Sequence, residues 1–169
     1  MPKKSFYITL VVVLLLACSE EPRPPYQIPK DAKTLLAGSE SKSWKLARRF
    51  NNKTRMNMGD CFLSHRDTYS LDMTMHNNSG ENVDCGETLN AQWKFVKDKN
   101  DNYYIRLRSD QLPAMMNIEE DFKLFKVLYL SEEEMVLQFQ HRQFSNKTST
   151  ITDIYVPEGV SVEGREFHW

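Results

Sequence analysis

Side chains able to perform acid–base or nucleophilic chemistry are scattered along this sequence. Ser39 and Lys42 form a Ser-x-x-Lys pattern, the acylation motif of penicillin-binding enzymes, which needs a helix to align the two side chains. Here the pattern precedes a predicted strand. His65 lies near Asp60 and Asp67, which suggests an acid–base group, but a histidine solvated in a loop is the interpretation that we prefer.

The other polar groups show no catalytic or metal-binding spacing. The four histidines have no i, i+4 pairing or other ligand pattern, and His141, which alternates with Phe139, is expected to be partly buried. The acidic runs at 119–121 and 132–134 are expected in solvated turns, whereas a glycosidase needs two carboxyl groups facing each other across a cleft. We therefore predict no catalytic residue, no metal site and no cofactor. The alternative is a hydrolase whose Ser, His and acid converge only in the fold.

The N-terminus has the features of an export signal. Lys3 and Lys4 precede eleven uncharged residues at 6–16, and Ala17 and Cys18 follow. A membrane-spanning helix needs roughly 20 apolar residues, so the shorter run predicts a signal peptide over residues 1–17.

Residues 15–18 (LLAC) resemble the lipobox of bacterial lipoproteins. The resemblance implies cleavage before Cys18, which would carry diacylglycerol and an N-acyl chain, and two or more chains hold a protein stably in a membrane. The alternative is an ordinary secretory signal with a chance cysteine.

Residues 18–33 are predicted to form the lipidated cysteine and a tether. Four prolines at 22, 24, 25 and 29 favour an extended chain, and about a dozen such residues reach some 30–40 Å. The acidic step at 19–21 (SEE) resembles the export signal of surface lipoproteins in Bacteroidota, although a solvated linker would have the same composition. The expected location is the outer membrane, with the cell surface favoured over the periplasmic face.

Removal of residues 1–17 deletes two of the 22 basic residues and none of the 23 acidic ones, so the mature chain has a mildly negative charge. Nucleic-acid binding would call for a basic patch or stripe, so no such partner is expected. Lipidation of Cys18 leaves Cys61 and Cys85, which are expected to form a disulfide in an oxidising compartment. The alternative, a metal or redox pair, lacks Cys-x-x-Cys spacing and a histidine pattern.

After a short helical turn at 30–37, which Gly38 ends, apolar residues recur with period two. The alternation predicts half-buried strands, one of them a single strand that contains Tyr69, Leu71, Met73 and Met75. Further strands follow around Trp93, Ile105 and Leu137. Residues 122–130 predict either a strand with a bulge near Leu124, which places Phe125, Val127 and Tyr129 on one face, or a short helix.

The sequence thus predicts an all-β fold, a small antiparallel up-and-down barrel of about eight strands over residues 34–156, followed by a tail at 157–169. Closure into a barrel removes exposed sheet edges. An eight-stranded barrel is just wide enough to fill with side chains or to hold one small ligand, and we favour a filled lumen over an open one. The residues expected to face the lumen are Trp44, Tyr69, Met73, Trp93, Phe95, Tyr103, Phe125 and Phe139.

Three segments resemble the lipocalin-like lipoprotein domains of Bacteroidota. They are residues 41–46 (SKSWKL), the series Asp60-Cys61, Thr68-Tyr69, Cys85 and 93–95 (WKF), and the closing pair 129–131 (YLS) and 135–137 (MVL). The resemblance spans about residues 34–156 and implies a barrel whose floor Trp44 closes. It carries no catalytic residues. One departure is the segment 65–69 (HRDTY), which lacks the glycine expected in that turn.

The expected function is therefore that of a membrane-anchored, non-catalytic module which contacts an outer-membrane protein as an accessory of a cell-envelope assembly. The alternative is a lipocalin-type carrier of a small hydrophobic ligand, bound near Trp44, Trp93 and Tyr103. A large interior cavity would favour the carrier, and a filled lumen would favour the interaction module.

Overall fold

A computed structural model describes residues 24–142 and 147–168 of the chain. Nine strands form one antiparallel sheet in the order β2-β1-β3-β4-β5-β6-β7-β8-β9, and β9 pairs with β1 to close it. The strands are β1 (Ser41–Asn51), β2 (Thr54–Arg55), β3 (Arg66–Ser70), β4 (Thr74–Asn77), β5 (Asn90–Lys97), β6 (Tyr103–Arg108), β7 (Phe122–Leu130), β8 (Met135–Arg142) and β9 (Thr148–Pro157).

The fold is a closed barrel of eight strands, with β2 as a short additional strand and three short helices. The helices are α1 (Ala32–Ala37), α2 (Asp60–Ser64) and α3 (Leu112–Met116). The predicted fold class is confirmed. Among the described residues, no helix has the length and apolar content needed to cross a membrane.

One end of the barrel, here called the floor, is closed by α1. Gly38 ends this helix with a positive φ of 67°, a backbone conformation that glycine adopts at little steric cost. Leu36 and Trp44 are both fully buried, and the Trp44 indole Nε1 donates a hydrogen bond of 2.8 Å to the Leu36 carbonyl. The Lys42 ammonium lies 4.0 Å from the centre of the Trp44 ring. Trp44 therefore lies at the closed end, beneath the helix.

The prediction of a single strand from Tyr69 to Met75 is wrong, because this segment forms the hairpin β3–β4. Tyr69 and Met75 are directly opposite each other, and the chain reverses at residues 71–73. An Asp72 carboxylate oxygen accepts hydrogen bonds from the Thr74 backbone N–H and hydroxyl, at 2.9 and 2.6 Å. Met73 takes the left-handed conformation (φ 73°) that is usually occupied by glycine in such turns. Because methionine stands at this position, the turn could not be recognised from the sequence.

Residues 122–130 form strand β7, so the strand alternative is confirmed and the helix is wrong. The register shift lies between Val127 and Tyr129, so the bulge lies at Leu128 and not near Leu124. Because a bulge moves the following residues to the other face, Leu130 is buried whereas Tyr129 is exposed. The prediction that Tyr129 shares a face with Phe125 and Val127 is therefore wrong.

Both flanking segments pack on the barrel. The Tyr26 hydroxyl forms hydrogen bonds with the backbone carbonyl and N–H of Leu130 at the floor, at 3.1 and 3.2 Å. In the tail, the Arg165 guanidinium donates to the carbonyl of Leu46, at 2.9 and 2.7 Å, and to that of Leu63, at 3.1 Å. Pairing between β1 and β3 extends only from Ser41 to Lys45, so the tail supplies donors where β3 no longer pairs with β1.

Candidate functional site

The barrel end opposite the floor, here called the mouth, contains a cavity of about 180 Å³. Helices α2 and α3 and the β4–β5 connection lie at this end. Most of the lining is apolar, but two basic and two acidic side chains also reach the cavity. They are Arg49, His65, Asp67 and Asp153.

Arg49 and Asp153 form an ion pair inside the barrel. The two side chains come from directly opposed positions of β1 and β9. The guanidinium Nε and Nη2 donate to the two carboxylate oxygens at 2.7 and 2.6 Å, a bidentate geometry that matches the two planar groups. The side chain of Asp153 is 1% exposed and that of Arg49 is 18% exposed. Burial alone would lower the pKa of Arg49, but the hydrogen bonds and the charge of Asp153 raise it.

Two aromatic side chains also contact the Arg49–Asp153 ion pair. The Tyr155 hydroxyl donates to Asp153 at 3.4 Å, and burial, together with the Asp153 charge, raises the pKa of Tyr155 well above its usual value. On the mouth side, the Arg49 guanidinium lies 4.4 Å from the centre of the Phe62 ring. Arg49 is thereby held between an acidic partner in the interior and an aromatic ring at the rim.

His65 is not the solvated loop histidine that the sequence predicted. Its side chain is 22% exposed, and its Nε2 lies 3.0 Å from an Asp67 carboxylate oxygen. Burial alone would lower the pKa of His65, but the charge and hydrogen bond of Asp67 raise it. The expectation was wrong because Asp67 lies two residues along, on strand β3, where its buried carboxylate faces back toward the ring.

Ser79, His65 and Asp67 form a Ser–His–Asp series. However, the Ser79 hydroxyl lies 3.4 Å from His65 Nδ1, beyond the roughly 2.6–3.2 Å over which a base withdraws a proton. Ser79 is also not among the residues that line the cavity. This series therefore orients His65 without placing a nucleophile at the cavity.

The eight residues predicted to face the lumen divide into three groups. Trp44, Tyr69 and Trp93 are fully buried in the core, and the rings of Tyr69 and Trp93 pack edge to face with centroids 5.9 Å apart. Three more are partly buried against that core, and two are partly exposed without belonging to it. The partly buried residues are Met73, Phe95 and Phe125, and the partly exposed ones are Tyr103 and Phe139.

Tyr103 and Phe139 lie at opposite ends of the barrel. Tyr103 lines a crevice at the floor, between the β5–β6 turn and the docked segment 24–26. Phe139 lines the mouth cavity, where its ring packs against Phe125 with centroids 5.1 Å apart. Large aromatic side chains therefore fill the floor half of the lumen, and the remaining space lies at the mouth.

A disulfide between Cys61 and Cys85, as predicted, joins α2 to the β4–β5 connection at the mouth. Next to it, Phe62 is exposed, and so are Met115 and Met116 at the end of α3. Phe62 and Met116 also line the cavity. The disulfide thus fixes one side of an apolar rim.

The other predicted polar features lie at the surface. His141 is exposed, so the expectation of partial burial is wrong, because the end of β8 from Gln140 to Arg142 is exposed. Over residues 24–142 and 147–168, no group of three or more His, Cys, Asp or Glu side chains is placed to hold a metal ion. Cys18 lies outside the described residues.

Sequence reasoning missed Arg49 and Asp153. Asp153 had a detectable signal, since it alternates with Ile151 and Tyr155 on the buried face of β9. Arg49 had none, because an irregularity between Leu46 and Arg48 breaks the alternation that would have placed it inside.

No protein-family model matches this sequence, and a search of curated proteins found no match. The function must therefore be inferred from the geometry of the barrel and from the pattern of its N-terminus.

Proposed function

We propose that this protein is an outer-membrane-anchored lipoprotein whose lipocalin-like barrel acts without catalysis, as an interaction module of a cell-envelope assembly. The mouth is the contact surface in this proposal, and an outer-membrane protein is the partner. The lipid on Cys18 and the resemblance to lipocalin-like lipoproteins of Bacteroidota are part of the proposal.

The observation that carries the proposal is the small size of the cavity together with its apolar rim. Ligand sites usually measure roughly 300–1,000 Å³, whereas this cavity measures about 180 Å³. Phe62, Met115 and Met116 expose apolar surface beside it. Exposed apolar groups with a polar surround are typical of protein contact sites, and a cavity of this small size can accept one apolar side chain of a partner.

The position of Tyr26 supports an outward-facing mouth. Because the segment 24–26 docks at the floor, only residues 19–23 separate Cys18 from the barrel. Five extended residues reach about 15 Å, so an anchor at Cys18 would hold the floor toward the lipid. The mouth would then face away from the membrane, where a protein partner can reach it.

The test compares two single charges introduced at opposite ends of the barrel. Met116→Asp places a carboxylate on the mouth rim, and Val160→Asp places one on an exposed apolar site beyond β9 at the floor. Membranes are dissolved gently, and the size of the protein's complex is measured by native electrophoresis. We expect Met116→Asp to dissociate the complex and Val160→Asp to leave it intact. A protein that is monomeric without either change would refute the proposal.

A second candidate function is the binding of a compact ligand in the mouth, because two basic and two acidic side chains converge on an otherwise apolar cavity. Such a ligand would be smaller than a typical lipocalin cargo. Native mass spectrometry of the gently extracted protein tests this candidate. It predicts a bound small molecule that is lost when Met116→Trp narrows the entrance, and a bare protein mass would end it.

A further inference from the structure

A second concave site lies on the outer wall of the barrel, away from the mouth. It is a groove of about 310 Å³ along β5 and β6, bordered by the β3–β4 turn. Its lining includes Lys94, Arg106 and Arg108, together with Asp72 from the turn. Three cations therefore meet in one groove, although the chain as a whole has a formal charge of −1.

Two of the three cations in the groove lie close enough together to destabilise the sheet when no ligand is bound. Lys94 lies directly opposite Arg106 in the β5–β6 register, and like charges at directly opposed positions destabilise a sheet. Neither side chain has an acidic partner in the described part of the chain. Arg108 does have one, Asp121 at 2.7 Å.

Asp72 does not neutralise this pair directly. Its carboxylate accepts hydrogen bonds from the backbone N–H and the hydroxyl of Thr74 at 2.9 and 2.6 Å, which holds it within the turn. The groove therefore keeps two cations, Lys94 and Arg106, without an ion pair.

Arg106 adds an independent observation. Its Nε is buried and forms no hydrogen bond with any residue in the described ranges. The guanidinium carbon lies 4.4 Å from the centre of the Phe122 ring, and the attraction between a cation and an aromatic face holds the guanidinium against that ring. A buried N–H without a partner costs free energy, so the protein holds Arg106, which lines the groove, in this position at a cost to its own stability.

We propose that the groove binds a phosphate monoester, with the Arg106 guanidinium and the Lys94 ammonium, which come from directly opposed positions of β6 and β5, as its two charged partners. A phosphate monoester carries nearly two negative charges near pH 7, which matches the two unpaired cations. Guanidinium groups bind phosphate through paired hydrogen bonds, and lysine binds it as a point charge. The phosphate belongs to a lipid headgroup or to a soluble ester. The proposal does not depend on the function of the mouth, which lies on another surface.

The experiment uses the full chain in zwitterionic detergent micelles, followed by NMR of the backbone amides. Three probes are titrated at constant ionic strength: inorganic phosphate, the short-chain lipid dihexanoyl phosphatidic acid and, as a control, dihexanoyl phosphatidylcholine. We expect the first two to shift the amides of residues 92–94 and 106–108 saturably, and the phosphatidylcholine to shift none of them. A phosphatidic acid affinity more than tenfold above that of phosphate identifies a lipid headgroup, and equal affinities identify a soluble ester.

Two variants and a matched control decide whether the groove is responsible. Arg106→Gln and Lys94→Gln should each weaken binding at least tenfold, whereas Lys53→Gln, in the exposed β1–β2 turn, should leave it unchanged. Lys94 is exposed, so its variant keeps the test valid even if Arg106→Gln fails to fold. The proposal is overturned if no probe gives saturable shifts, or if Lys53→Gln weakens binding as much as Lys94→Gln does.

Discussion

Replacement of Asp153 by leucine should destabilise the barrel, and most of that loss should come from the charge left on Arg49. In the native protein the guanidinium makes two short hydrogen bonds to a carboxylate whose side chain is 1% exposed. Asp153→Leu removes both acceptors while Arg49 stays inside the barrel. Tyr155 also loses the acceptor of its hydroxyl.

The expected magnitude follows from the burial of the pair. Breaking a buried ion pair by removing one partner costs about 3–5 kcal/mol, whereas replacing both partners by apolar residues is often close to neutral. Because Arg49 retains 18% exposure, the lower end of this range applies, about 3 kcal/mol for Asp153→Leu. The double variant Arg49→Met with Asp153→Leu should recover at least ~1 kcal/mol of that loss.

Urea unfolding followed by tryptophan fluorescence measures these differences. With a denaturant slope of about 1–3 kcal/mol per M, a loss of about 3 kcal/mol lowers the midpoint by roughly 1–3 M. Arg48→Met is the matched control, since Arg48 is exposed and surface changes usually stay within about 0.5 kcal/mol. A double variant that is less stable than Asp153→Leu alone would refute the reasoning, because the penalty would then not come from an unpaired charge.

Three further predictions concern the mouth and the tail. Cys61→Ala with Cys85→Ala should lower the free energy of unfolding by about 3–4 kcal/mol, since a crosslink of this length restricts the unfolded chain; an unchanged melting temperature in calorimetry would contradict it. The folded protein raises the pKa of His65 above 6.5. The stabilisation from the His65–Asp67 ion pair is therefore complete below pH 6.5 and is lost as the pH rises through the raised pKa. Stability measured between pH 6 and 9 should therefore fall, and His65→Gln should flatten that part of the curve; equal slopes for both proteins would disprove the ion pair. Arg165→Met should lower the free energy of unfolding by about 1.5–3 kcal/mol, as expected for charged hydrogen bonds to carbonyls. Glu163→Gln is its neutral control. Equal urea midpoints for the two variants would show that the tail does not stabilise the barrel.

The barrel could be predicted from the sequence because alternation is a local signal. In β5, Ala91 and Trp93 alternate with exposed residues as the pattern requires. Prediction failed where one residue departed from the usual chemistry of its position. The β3–β4 hairpin was not predicted because Met73, and not glycine, takes the left-handed position of its turn. The bulge at Leu128 places Tyr129 on the outer face and Leu130 on the inner face, the reverse of simple alternation.

The candidate site was much less predictable, because its parts are distant in the sequence. Arg49 and Asp153 are 104 residues apart and meet only when β9 pairs with β1 to close the barrel. His65 was interpreted from its loop position alone, although Asp67 two residues later fixes its ring. By contrast, the pairing of Cys61 with Cys85 was predicted by counting, because the expected lipidation of Cys18 leaves only two other cysteines.

Photo-crosslinking in intact cells tests the central claim most directly, that the mouth of the anchored barrel contacts a protein partner. A photoreactive phenylalanine analogue is placed at Phe62 on the mouth rim or, as the control, at Val160 at the floor. We predict one discrete protein adduct from Phe62 and none from Val160. Adducts of equal yield from both positions, or none from Phe62, would contradict the proposal that the mouth is an interaction surface.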